Sequence, residues 1–101
     1  MASRLDLQAK LEAILGTRNV YFQPPESMKI SYPAIIYSRN EIRNRSANNG
    51  IYIQRDMYQI IVVDPNPDSI YVRAVSQLPT ARHSKHYTKD NLNHDVFSIF
   101  Y

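Results

Sequence analysis

Cysteine is absent from this chain, glycine occurs twice and proline six times. Without cysteine there are no disulfide staples, no thiolate chemistry and no cysteine-based zinc sites. Gly16 and Gly50 stand far apart, which removes any glycine-rich phosphate cradle. No linker of low complexity divides the chain. Long apolar runs are also missing: the longest are Ala34 to Tyr37 and Ile60 to Val63, far short of the roughly 20 residues a spanning helix needs. The first residues, MASRLDLQAK, carry no apolar core of a secretory signal, so a soluble intracellular chain is expected.

What is present is ordinary globular material. Hydrophobic residues make up 44% of 101 positions and charged residues 21%, which excludes disorder and collagen-like structure. A chain this short is one domain, with a modest core that gains from assembly. The net charge of +3 lies entirely in residues 1–50, since residues 51–101 are balanced. Eight tyrosines are the more telling feature. A tyrosine offers an apolar ring and a polar tip, suited to half-buried strands and to interfaces.

The pattern along the chain predicts seven elements. Leu7, Leu11, Ile14 and Leu15 form one apolar stripe, and Ser3 with Asp6 resembles a capping box. With Gly16 as a left-handed cap, the helix spans about residues 4–15. Asn19 to Phe22 is a short β-prone run closed by Pro24-Pro25, and Pro33 opens a second strand at Ala34 to Tyr37. Residues 38–50, SRNEIRNRSANNG, are polar apart from Ile42 and Ala47 and end in turn chemistry. They make either an extended hairpin arm or a mobile loop. Ile51 to Val63 is the longest strand signal, buried on both faces towards Ile60–Val63. Asn66 as N-cap and Pro67 as first residue predict a second helix over about 67–77. Arg82 to Thr88, a turn at Lys89-Asp90-Asn91, and Val96 to Tyr101 return to β structure. The order is α-β-β-β-α-β-β. It argues for a single α+β domain, a mostly antiparallel sheet backed by two helices.

Catalysis finds little purchase. His83 and His86 lie three apart, and residues three apart on a strand face opposite ways, so they are expected not to converge on one ion. They read as surface or interface histidines, and no metal or cofactor is expected. No serine sits in a nucleophile elbow. Asp64 and Asp68 flank a strand end, and Asp68 reads as a first-turn complement to a helix dipole. No catalytic residue is therefore assigned. Two basic clusters deserve weighing for nucleic acid: Arg39, Arg43 and Arg45, and Arg82, Lys85 and Lys89 with His83, His86 and Tyr87. Glu41, Asp90 and Asp95 dilute both, and no helix of DNA-reading type adjoins them. Tyr52, Tyr58, Tyr71, Tyr87 and Tyr101 either roof the core or supply the apolar part of a subunit interface.

Three blocks carry a family likeness: NVYFQPPESMKISYPAIIYSRN, YQIIVVDPNPDSI and RHSKHYTKDNLNHDVFSIFY. Together they resemble the tail completion or tail terminator proteins encoded among the head–tail joining genes of long-tailed bacteriophages. The likeness runs from about residue 5 to 101. It implies a sheet of four or five strands with two helices. It also implies a homo-oligomer, a hexameric ring that caps the tail tube and meets the head connector, with phage DNA passing through unread. Such a protein is a non-enzymatic part of the virion, at the tail–neck junction, assembled in the host cytoplasm without membrane contact. The likeness transfers no site residues. Chemistry alone nominates Arg39, Glu41, Arg43, Arg45, Tyr52, Arg55 and Tyr58 as contacts to a neighbouring subunit or the tube. Two other readings stay open here: a different connector of the phage neck, or a small DNA-binding regulatory domain.

Overall fold

A computed structural model describes residues 4–25, 27–46 and 52–101, with segments 40–46 and 52–55 as backbone. The apolar stripe of the N-terminal segment becomes helix α1, Arg4–Leu15, burying Leu7, Leu11 and Leu15. Asp6 lies in its first turn, where a carboxylate complements the helix dipole. Gly16 ends it at φ 76°, its N–H donating to the Glu12 carbonyl at 2.8 Å. No atom crowds a would-be Cβ there, so glycine is favoured by backbone conformation rather than by space. The capping role of Ser3 lies outside the described residues.

Five strands form one sheet in the order β1-β2-β3-β5-β4. They are β1 (Val20–Phe22), β2 (Ala34–Ser46), β3 (Tyr52–Asp64), β4 (Arg82–Lys89) and β5 (Leu92–Phe100). Only β1 and β2 run parallel; the other three pairings are antiparallel. Together with α2 (Ile70–Ser76) this is the α+β order expected.

Register decides which side chains meet the helices. Ile35 lies opposite Val62, and Tyr37 opposite Ile60. Across the next ladder Ile60 meets Phe97 and Tyr58 meets Ile99. These residues share one face and pack with Leu7, Leu11, Leu15 and Val75 into the core. The other face carries Ala34, Ile36, Ile61, Val63 and Val96, of which Ala34, Val63 and Val96 are buried. Burial of Ile60, Val62 and Val63 explains the loss of alternation at this end of β3. Of the tyrosines, Tyr37 and Tyr58 are core residues, while Tyr71 and Tyr101 pack against the core.

Two element boundaries differ from the sequence pattern, and one alternative that it left open is decided. Helix α2 starts at Ile70 with Ser69 as its N-cap, the Ser69 hydroxyl accepting the Tyr71 N–H at 3.3 Å. Asn66 does not cap it, and Pro67 and Asp68 stand outside it. The Asp64 carboxylate instead takes the Asn66 N–H at 2.8 Å, and the Asn66 side-chain amide oxygen takes the Asp68 N–H at 3.0 Å. Such successive side-chain turns compete with helix and delay its start. Strand β5 begins at Leu92 rather than Val96, because Asp90 and Asn91 both take positive φ (55° and 62°). This two-residue turn brings Lys89 directly opposite Leu92. Finally, the polar segment after Tyr37 is the continuation of β2 as far as Ser46. Its turn residues Asn48-Asn49-Gly50 lie outside the described residues.

A polar network pins α1 to the sheet. The Tyr37 hydroxyl donates to the Gln8 side-chain carbonyl and accepts from Arg4 at 3.3 Å. Gln8 donates onward to the Val20 carbonyl at 3.0 Å. Burial pushes the Tyr37 phenol above its ordinary range, against the opposing pull of Arg4. The folded state thus holds a proton that the unfolded chain releases from about pH 10 upward. That contribution is complete below about pH 10 and is lost as pH rises through the folded value. Tyr37→Phe should therefore lower stability by about 0.5–1.5 kcal/mol at neutral pH. Chemical denaturation should show the variant with a shallower alkaline decline than the parent. In the core, Leu11→Ala should cost about 2–5 kcal/mol by the same measurement.

Candidate functional site

Two places on this fold are candidates for a functional site: the ribbon formed by the outer halves of β2 and β3, and a concavity beside β4. The flanking strands are shorter than the central pair. Strand β1 accompanies β2 only as far as Phe22 opposite Tyr37. Strand β5 accompanies β3 only as far as Phe100 opposite Met57. Beyond these points β2 and β3 continue alone, with Ile42 opposite Asp56 and Ser46 opposite Tyr52. The molecule is accordingly elongated, 52 × 25 × 22 Å.

The root of this ribbon is specifically built. The register shifts between Arg39 and Glu41, so Asn40 is an extra residue in β2. Beside it, Arg39 Nε lies 3.1 Å from Asp56 Oδ2. The Tyr58 hydroxyl donates to the same oxygen at 3.3 Å, and an Arg39 terminal nitrogen reaches that hydroxyl at 3.4 Å. The Arg39 guanidinium is held above its ordinary range, first by the Tyr58 hydroxyl and then by Asp56 charge after the cost of desolvation. Residues just beyond the neighbouring strands close the flanks. Gln23 accepts the Arg39 N–H at 3.2 Å, and the Tyr101 N–H donates to the Asp56 carbonyl at 3.0 Å.

The seven nominated contact residues fall into two groups. Arg39 and Tyr58 sit at the root and are engaged within their own chain; Tyr58 is buried. Glu41, Arg43, Arg45, Tyr52 and Arg55 lie along the ribbon by backbone position, with Arg43 opposite Arg55 and Arg45 opposite Ile53. Their side chains lie outside the described residues.

The second place was hidden from the sequence. A register shift between His83 and Lys85 makes Ser84 an extra residue in β4. The shift cancels the alternation that would send His83 and His86 to opposite faces. Both imidazoles reach the same carboxylate oxygen, Asp95 Oδ1, from His83 Nε2 at 3.0 Å and from His86 Nδ1 at 2.8 Å. The expectation that the two histidines face opposite ways is corrected by the bulge, which lets them meet at a carboxylate. Asp95 itself is buried, and the two ring nitrogens are its partners. A concavity of about 310 Å³ opens here, lined among others by Ser69, Arg73, His83, His86, Asp95 and Phe97. His83 also meets the Phe97 ring edge-on at 5.1 Å, while His94 stacks on Tyr87 at 4.6 Å from the sheet's other face. Among the described residues no three of His, Cys, Asp or Glu are arranged to hold a metal ion. The cluster's chemistry is therefore that of a carboxylate holding two imidazoles in fixed orientation.

No family model matches the chain, and no curated protein does.

Asp95→Asn keeps the volume but replaces the anionic acceptor, and should destabilise the fold by about 1–3 kcal/mol. The same substitution in a His83→Gln, His86→Gln background should cost clearly less. Equal costs in both backgrounds, read by denaturation, would show that the imidazoles do not support the carboxylate.

Proposed function

We propose that this chain is a ring-forming tail terminator of a long-tailed bacteriophage, capping the tail tube and joining it to the head connector. The observation that carries the reading is the β2–β3 ribbon, which outruns both neighbouring strands. An unaccompanied pair of strands is marginal alone in water and gains from a surface to lie on. A ring of identical subunits supplies that surface, because each ribbon meets the next copy in a repeated head-to-tail contact that closes on itself. The three sequence blocks that resemble tail terminators support the same reading.

The mechanism is one of shape. A closed ring adds to the tube end through one face, while its other face does not match a further tube subunit, so growth stops. That other face then meets the connector. In this arrangement Arg43 and Arg45, on the ribbon, pair with carboxylates of the adjacent subunit or of the tube. Arg39 serves its own Asp56 instead. DNA passing through the channel is best served by a lumen that does not grip phosphate, so the ribbon arginines face protein. The protein is a structural component of the virion neck and has no catalytic duty.

The test is electron microscopy of lysates from phage lacking this chain. Tails of uncontrolled length, or finished tails unable to join heads, are expected. Uniform, attached and infectious tails would end the proposal. Complementation with an Arg43→Glu, Arg45→Glu double variant should fail. Its thermal unfolding should remain cooperative. Oligonucleotide binding that falls steeply with salt would instead favour the DNA-binding alternative.

A further inference from the structure

The root of the ribbon holds two devices at one place, an inserted residue and a small polar cluster. Asn40 is the extra residue in β2, and Arg39 beside it engages Asp56 and Tyr58 on β3. This is also where the sheet changes from four neighbouring strands to two, since β1 ends opposite Tyr37 and β5 opposite Met57. A bulge bends its strand and sharpens the local twist, so its position decides the direction the ribbon takes. It also resets alternation, because one residue more or less turns every later side chain of that strand to the opposite face.

The polar cluster fixes the bend. Arg39 has a 41% exposed side chain and Asp56 a 25% exposed one, and ion pairs in such settings add little to global stability. Their geometry is better explained by orientation. Asp56 is tied three ways: by Arg39, by the Tyr58 hydroxyl, and through its carbonyl by the Tyr101 N–H. Tyr58 is rooted in the core with its ring 6.1 Å from that of Tyr37. Gln23 clamps the Arg39 N–H from the opposite flank, in a left-handed conformation (φ 45°) just beyond β1. The residues just beyond the two short strands, Gln23 after β1 and Tyr101 after β5, are therefore the groups that grip the ribbon.

We propose that the Asn40 bulge and the Arg39–Asp56–Tyr58 cluster form an aiming joint, which sets the direction of the ribbon and so where it meets the next copy of the chain. Naming the next copy rests on the ring reading above; the joint itself does not.

The chain has no cysteine, so residues substituted by cysteine at exposed Ala13 on α1 and at Asn44 on the ribbon are unique attachment points for spin labels. Pulsed electron resonance on the labelled parent is expected to give one narrow distance distribution. Asp56→Asn should broaden it, and removal of Asn40 should shift its mean. Both variants should lose ring formation on tube ends while retaining cooperative unfolding. Asp56→Asn keeps the proposal testable should removal of Asn40 prevent folding. An unchanged distribution in Asp56→Asn would overturn the joint, as would a changed distribution with undiminished rings. Failure of the parent itself to form rings would count against the ring reading and the next copy as target, leaving the distance measurement to judge the joint.

Discussion

The ladder between β2 and β3 is the constraint on which the rest of this structure depends. Both strands are central, and each reaches the remaining sheet through one further neighbour, β1 beside β2 and β5 beside β3. Its inner half sets Ile35 against Val62 and Tyr37 against Ile60, the rows on which α1 and α2 pack. A slip of one residue in this ladder would exchange these buried rows for Ile36 and Ile61 and would expose the seats of Leu7, Leu11 and Val75. The register is accordingly held by hydrophobic burial on the helix-covered face. Fully burying each such side chain contributes about 1.5–3 kcal/mol.

The same ladder serves two environments along its length. Near Ala34 and Val63 it is part of a five-stranded sheet, and towards Ser46 and Tyr52 it stands as a pair. The residue types follow that division. Ala34 to Tyr37 and Ile60 to Val63 are continuous apolar runs, while the segment from Ser38 onward is polar. The bulge at Asn40 lies near the boundary between the two regimes. A second bulge, at Ser84, does comparable work on the edge strand β4, turning His83 inward to share Asp95 with His86. An edge strand carrying a bulge and Lys85 and Lys89 is also a poor template for unplanned strand addition.

Much of the architecture was legible in local patterns. The helix over residues 4–15 and its glycine cap follow from an apolar stripe and one left-handed residue, both properties of neighbouring positions. The pattern at Asn66-Pro67 marks the second helix but starts it before Ile70, because Asp64 and Asn66 use their side chains on turns of their own. For the candidate site the balance is different. Arg39, Arg43 and Arg45 mark a charged polar segment in any reading of the sequence. The partnership of Arg39 with Asp56 depends on the pairing of β2 with β3, which sets Arg39 opposite Tyr58, two residues from Asp56. The histidine pair gave the opposite lesson: a spacing that excludes convergence on a regular strand permits it on a bulged one.

Taken alone, the residue order determined the number and kind of elements, the polar character of the segment after Tyr37 and the absence of any thiol chemistry. These depend on interactions between residues a few positions apart, whose energies the local sequence already contains. Only the tertiary structure decided the strand order, the extension of β2 to Ser46, the two bulges and the meeting of Asp95 with His83 and His86. Those features join residues distant along the chain, and they exist only once burial of the shared core has set one strand's register against another's.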